Sequence, residues 1–153
     1  MAKGYFSLIL HAHLPFVRHP EYERFLEENW LFEAISETYL PLLRVFRHLE
    51  KNDVPFRLTV SISPTLAAML GDELLQNRYV KHIERLMELT QKEIKRTENK
   101  PAFNRVAMMY HTLFRQNYED FTVLYKKNIL TGMMYFMERG HLELITSSAT
   151  HSF

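Results

Sequence analysis

The sequence contains no cysteine in its 153 residues. This absence excludes disulfide bonds, thiol catalysis and zinc–thiolate sites together. It also agrees with a reducing compartment, so we expect a cytoplasmic location.

The sequence also lacks an excess of charge of either sign, because 19 Lys and Arg residues stand against 18 Asp and Glu, a net charge of +1. This balance gives no signal for a nucleic-acid partner. Long apolar runs are missing as well. The run Tyr5–Leu10 is too short for a signal-peptide core or a bilayer span, so we expect neither export nor a membrane partner. With 46% hydrophobic and 24% charged residues, the composition is that of one globular domain.

The apolar run Tyr5–Leu10 predicts a strand buried on both faces, as in a parallel sheet. It ends in the segment His11-Ala12-His13-Leu14-Pro15. Side chains alternate along a strand, so His11 and His13 are expected on the same side, at the strand's C-terminal end. Pro15 lacks a backbone N–H and ends the strand. In barrels of parallel strands, that end carries the chemistry.

Two further strands are predicted at Phe56–Ile62 and Leu142–Thr146. Ser63 and Pro64 follow the second strand as a helix N-cap and first helical residue. Thr150 and His151 follow the third as a polar tip that resembles the end of the first. The order strand–helix–strand–helices–strand predicts an α/β fold with parallel strands.

The intervening segments have a helical period. The first helix is predicted from about Trp30, and Pro41 should kink or restart it. The charged run Lys92–Lys100 is interpreted as a solvated turn, and Gly140 as a helix C-cap. Three apolar stripes are expected to fill the core: Leu75, Tyr79, Val80, Ile83, Leu86 and Met87; Val106, Met109, Tyr110, Leu113, Phe114, Phe121 and Leu124; Leu130, Met133, Met134 and Met137.

Three strands cannot close a barrel, nor can they cover the two apolar faces of a parallel sheet by themselves. The sequence also stops directly after a histidine-bearing strand end, where a loop and a helix should begin. We therefore expect an N-terminal fragment of a larger protein.

Three segments carry a resemblance: HAHLPFVRHPE at His11–Glu21, WLFEAISETYLPLL at Trp30–Leu43 and ELITSSATHSF at Glu143–Phe153. In this order they resemble glycoside hydrolase family 57, and within it the 1,4-α-glucan (glycogen) branching enzymes. The first and last segments are similar to the first two signature regions of that family.

The resemblance implies a distorted, TIM-like (β/α)7 barrel, of which residues 1–153 would hold the first three βα units. It implies a retaining double displacement on an α-glucan, with a glutamate nucleophile and an aspartate acid/base beyond residue 153. This chain would then carry no catalytic carboxylate, be inactive alone and need no cofactor. The implied reaction is branching in glycogen synthesis, and 4-α-glucanotransferase or α-amylase activity are the alternatives within the family.

The resemblance also suggests roles for individual residues. His11 and His13 match histidines that line the innermost sugar subsite, where neutral imidazoles can donate to and accept from hydroxyls. His151 matches the histidine of the second motif and should reach the same rim. Glu143 matches an acidic position deeper in that strand, and Trp30 could stack on a pyranose ring or simply pack.

Other interpretations remain open at this point. The histidine pair could be purely structural, or three histidines could hold zinc in a metal-dependent barrel hydrolase. Against a metal, no downstream carboxylate–histidine cluster is visible, and the family resembled uses none. A non-catalytic glucan-binding module is a further possibility. Glu33 and Glu37 are interpreted as an exposed helix pair. The remaining helical histidines are interpreted as surface or packing residues: His48, His82, His111 and His141.

Overall fold

Three parallel strands in the order β1-β2-β3 form the sheet of the computed structural model, which describes residues 3–149. The α/β class and the parallel strands predicted from the sequence are confirmed. In chain order the elements are β1 (Ile9–Ala12), α1 (Glu28–Ala34), a π-helical turn (Ile35–Tyr39), α2 (Leu40–Lys51), β2 (Leu58–Ile62), α3 (Pro64–Gly71), α4 (Glu73–Arg96), α5 (Pro101–Glu119), a second π-helical turn (Asp120–Leu124), α6 (Leu130–Glu138) and β3 (Leu142–Thr146).

The two faces of the sheet differ because side chains alternate along each strand. One face packs into the main hydrophobic core with the helices, through Leu10, Ala12, Leu58, Val60, Ile62, Leu142 and Leu144. The opposite face is largely uncovered: Ile9 at one edge is 60% exposed and Ile145 at the other is 43% exposed. We call this second side the open face.

The helix N-cap and C-cap predicted next to β2 and β3 are confirmed. Ser63 is the N-cap of α3, where its hydroxyl accepts a hydrogen bond from the Leu66 amide, and Pro64 is the first helical residue. Gly140 follows α6 with φ +75°, and the amides of Gly140 and His141 bond back to the carbonyls of Met137 and Phe136. Only glycine adopts that conformation without strain, so it ends the helix and directs the chain into β3.

Pro41 lies in the first turn of α2, which agrees with the predicted restart of the helix there, and the π-helical turn that precedes it accommodates the proline. Its ring would crowd the carbonyl four residues earlier in a regular α-helix, and it has no N–H to donate. The wider turn bonds the Leu40 amide to the Ile35 carbonyl. The helix thus continues without interruption from Glu28 to Lys51.

The predicted burial of the first strand is wrong. The strand is Ile9–Ala12, not Tyr5–Leu10, and Tyr5 and Phe6 are 100% and 88% exposed. Within residues 3–149, β1 pairs on one side only, with β2, and its open-face side chains have no layer above them. An apolar run indicates that a segment is suited to burial, but a second neighbour must be present to bury it.

The predicted core stripes are right for α4 and wrong in part for the two stripes that follow it. Leu75, Tyr79 and Ile83 are fully buried. Six residues assigned to the other two stripes lie instead on exposed surfaces: Val106, Met109, Tyr110, Leu124, Met134 and Met137. The Lys92–Lys100 run is also not a turn throughout, because α4 continues to Arg96 and its charges lie on a solvated helical end. None of the helices within residues 3–149 is long and apolar enough to cross a membrane.

Candidate functional site

The open face brings two of the predicted site histidines together with polar residues of the neighbouring strands. The register pairs Ile9, Thr59 and Glu143 in one row across the sheet, and His11, Ser61 and Ile145 in the next row toward the C-terminal ends. His13 follows beyond the end of β1. Because residues two apart on a strand point the same way, the side chains of these two rows lie on the open face, and His13 stacks on His11.

His11 and His13 form a parallel stack with ring centroids 6.0 Å apart and an interplanar angle of 5°. His11 is exposed and His13 is partly buried. The shared side predicted from the strand alternation is therefore confirmed. Each ring nitrogen of such a pair can donate or accept a hydrogen bond according to the tautomer, which suits a ligand rich in hydroxyl groups.

Glu143 is oriented by its neighbour on β2. The Thr59 hydroxyl donates a hydrogen bond to the Glu143 Oε2 atom over 2.7 Å, and both residues occupy the same row of the sheet. This row lies one step below that of His11, toward the N-terminal ends of the strands. Thr59 thus holds the carboxylate on the open face, one row nearer to the N-terminal ends of the strands than His11.

Thr59 and Ser61 on β2 were not predicted to form part of a polar face. They alternate with apolar residues on the central strand, and Ser61 is buried. Their period of two, matched to that of His11 and His13, was a usable signal for a polar face. Serine and threonine are too common at strand ends for that signal to be specific.

The loop between β1 and α1 is fixed in place at its start. Val17 is buried, and its amide donates to the Met69 sulfur over 3.3 Å. Arg18 pairs with Asp72 over 2.6 Å, and Asp72 is also the N-cap of α4. The rim beside the histidines is therefore anchored to α3 and α4 rather than left to move freely.

A buried ion pair holds the end of the same loop. The Arg78 guanidinium on α4 binds the carboxylate of Glu28 and the backbone carbonyls of His19 and Tyr22. Glu28 is only 1% exposed. A carboxylate buried to that extent requires a cationic partner, and this pair joins the first residue of α1 to α4.

The other predicted site residues are not gathered at the histidine pair. Trp30 lies on α1 with 52% of its surface exposed. Glu33 and Glu37 are exposed on the same helix, as expected for a solvated pair. His141 packs flat against Phe56, with centroids 4.4 Å apart, and His111 accepts or donates a hydrogen bond with Thr90. His151 lies outside the described residues.

Within residues 3–149, no group of three or more His, Asp or Glu side chains is placed to hold a metal ion. On the described part of the open face lie two stacked imidazoles, the hydroxyls of Thr59 and Ser61, of which Ser61 is buried, and the Glu143 carboxylate. This set is suited to hydrogen bonding of a neutral polyhydroxyl ligand.

The family model of glycosyl hydrolase family 57 matches residues 7–153. The chain therefore belongs to glycosyl hydrolase family 57. The 1,4-alpha-glucan branching enzyme TK1436 of Thermococcus kodakarensis is 32% identical over 151 residues, which covers 99% of this chain and 22% of that protein.

Two solved structures are similar over almost the whole chain. The alpha-amylase AmyC of Thermotoga maritima is 47% identical with a TM-score of 0.90, covering 96% of this chain and 28% of its own. The branching enzyme of the same family from Pyrococcus horikoshii is 32% identical, also with a TM-score of 0.90, covering 98% of this chain and 28% of its own. This chain thus spans between 22% and 28% of the length of these relatives.

Proposed function

We propose that the protein acts on α-1,4-glucans as a retaining glycoside hydrolase or transglycosylase, with branching as its main reaction. Residues 1–153 would form the first three βα units of a TIM-like (β/α)7 catalytic barrel, with the open face as part of its lining. Family membership over residues 7–153 and the parallel order β1-β2-β3 support this proposal.

The observation that carries the proposal is the stacked pair His11 and His13 at the C-terminal end of an edge strand. Ligands of parallel α/β sheets bind at that end of the strands. Both rings belong to a surface of hydroxyls and one oriented carboxylate, in a chain whose relatives include branching enzymes. We assign the pair to a glucose subsite, where the imidazoles hydrogen-bond to sugar hydroxyls. His151 and Trp30 are proposed to contribute to the same glucan path.

The reaction needs two carboxyl groups about 5–5.5 Å apart, one as nucleophile and one as acid and base. On the strands β1, β2 and β3 the open face carries one carboxylate, Glu143, already engaged by Thr59. We therefore propose that the nucleophile and the acid/base come from parts of the barrel outside this chain, with Glu143 as a positioning residue.

Hydrolysis of α-1,4 bonds, as in an α-amylase, is the second candidate. It is favoured by the 47% identity with the alpha-amylase AmyC, higher than the 32% identity with the branching enzymes. Both reactions begin with the same covalent glycosyl-enzyme intermediate and differ in whether a sugar hydroxyl or water resolves it. The shared open face is equally suited to either outcome.

Product analysis of the full-length protein on amylose separates the two candidates. Branching cleaves one α-1,4 bond and forms one α-1,6 bond, so proton NMR should show new α-1,6 signals while the number of reducing ends stays constant. An amylase should instead raise the reducing ends without α-1,6 signals. If neither change occurs on amylose or on maltooligosaccharides, the proposed glucan activity is contradicted.

A further inference from the structure

A cavity of about 520 Å³ lies beside the end of the β1–α1 loop. Its walls are the end of that loop, the start of α1 and the first half of α4. On α4 the lining positions Arg78, Lys81 and Arg85 are three and four residues apart, so they lie along one face of the helix. The volume is in the range of small-molecule binding pockets.

The charges that line this cavity are unbalanced. Four cations, Arg24, Arg78, Lys81 and Arg85, stand against the two carboxylates Glu23 and Glu28. Arg78 is committed to the buried Glu28 and to two backbone carbonyls. Three cations and one carboxylate remain, and this leaves an excess of two positive charges facing the cavity.

The remaining cations have no protein anion assigned to them. Among residues 3–149, the structure records no hydrogen bond or ion pair for the side chains of Arg24, Lys81 or Arg85. All three side chains are exposed at the mouth of the cavity, and an anion bound between them would be attracted by each.

The positive charges of the cavity also affect the pKa of His82. Burial, and then the charges of Arg85 and Arg24, lower the pKa of its imidazole to about 4. At neutral pH the ring is therefore uncharged, and it packs on Phe32 with centroids 5.1 Å apart. Together with Leu74 these rings give the cavity an apolar wall beside its cationic one.

We propose that this cavity binds the dianionic phosphate group of a phosphate monoester, held by Arg24, Lys81 and Arg85. The charge excess of two matches a dianion, and arginine and lysine are the side chains that bind phosphate best. The amide of Asn77 adds a neutral donor, since its oxygen already accepts from Lys127 over 2.9 Å. The volume exceeds the need of a free phosphate ion and leaves room for the organic group against Phe32 and Leu74.

Calorimetric titration of the full-length protein with glucose 6-phosphate, inorganic phosphate and glucose tests the site. Glucose 6-phosphate should bind and inorganic phosphate should bind more weakly. Any heat from glucose alone, which the proposed subsite at His11 and His13 would bind, should be the same in the wild-type protein and in K81Q/R85Q. The double variant K81Q/R85Q should raise the Kd for glucose 6-phosphate by about tenfold or more, because it removes two charged donors from the phosphate. R24Q should act in the same direction.

The control variant K95Q/R105Q removes the same charge from exposed positions on α4 and α5 away from the cavity. It should leave the Kd within about twofold of the wild-type value, because exposed charges more than a Debye length from a ligand are screened. Thermal melting of each variant verifies folding. Equal losses in both double variants, or unchanged binding in K81Q/R85Q, would overturn the site. Equal affinity for inorganic phosphate and glucose 6-phosphate would overturn its assignment to a monoester. This test does not use glucan activity and is independent of the proposed reaction.

Discussion

Replacing Asn117 by Ala should destabilise the protein more than a surface asparagine would, because Asn117 connects the two π-helical turns. Its side chain is fully buried, and its Nδ2 group donates to the Ser36 carbonyl over 3.0 Å. That carbonyl lies in the first π-helical turn, and the residue five positions later is Pro41, which has no N–H to offer. Asn117 thus supplies the donor that the proline removes.

The same side chain accepts a charged hydrogen bond from Arg44, 2.8 Å from the Asn117 Oδ1 atom. Arg44 also pairs with Asp120 at the start of the second π-helical turn. Loss of a buried partner costs about 1–3 kcal/mol per unsatisfied group. With the Ser36 carbonyl and one Arg44 N–H left unpaired, Asn117→Ala should lower the free energy of unfolding by about 2–6 kcal/mol.

Urea denaturation of the full-length protein, followed by circular dichroism, measures this loss. A double-mutant cycle with Pro41→Ala tests the reason for it. The Pro41→Ala change restores a backbone N–H to the π-helical turn, so Asn117→Ala should cost at least about 1 kcal/mol less in that background. A loss below about 1 kcal/mol in the wild-type background, or the same loss in both, would refute the reasoning.

Three further predictions concern stability and assembly. Gly132→Ala should lower the free energy of unfolding by about 1–3 kcal/mol, since a Cβ there would lie 2.5 Å from the Tyr125 ring. The control Gly71→Ala, where a Cβ would meet no atom within 4 Å, should change it by less than about 1 kcal/mol. Equal effects of the two changes in chemical denaturation would contradict this prediction. The folded-state pKa of His82 is about 4, below its ordinary value of 6.5. The stability that the neutral imidazole contributes should therefore be complete above pH 6.5 and be lost as the pH falls toward 4. Melting temperatures measured against pH should fall less steeply in His82→Gln than in the wild-type protein. The 153-residue chain produced alone should self-associate in size-exclusion chromatography, because among residues 3–149 the outer edges of β1 and β3 have no strand beside them and Tyr5, Phe6 and Ile9 are exposed. A monomer that melts cooperatively would contradict this prediction.

The parts of the fold that the sequence predicted correctly depend on local chemistry. Leu142–Thr146 is β3 with the predicted bounds. Ser63 begins α3 because its hydroxyl caps the helix, and Gly140 follows α6 because the lack of a Cβ allows its positive φ. The stack of His11 and His13 follows from the period of two in a strand. Each of these features involves residues within a few positions of one another.

The features that could not be predicted join distant residues. Asn117 lies 81 positions from Ser36, and nothing in either local sequence indicates that one satisfies the other. Arg24 and Arg85 line one cavity only because the loop before α1 lies along α4. The exposure of the first strand likewise depends on which strands stand beside it, and not on its own apolar run.

The most direct test of the proposed glucose subsite is His13→Ala in the full-length protein, with kcat, KM, melting temperature and bound metal measured on one preparation. Removing hydrogen bonds to a sugar should cost about 1–3 kcal/mol, so kcat/KM on amylose should fall by roughly 5- to 150-fold. A share of that loss should appear in kcat if the bonds tighten in the transition state. We expect a melting shift of a few degrees and zinc content near zero before and after the change. Stoichiometric zinc that is lost on mutation together with activity, or a large drop in melting temperature with activity per molecule retained, would contradict the assignment of His11 and His13 to sugar binding.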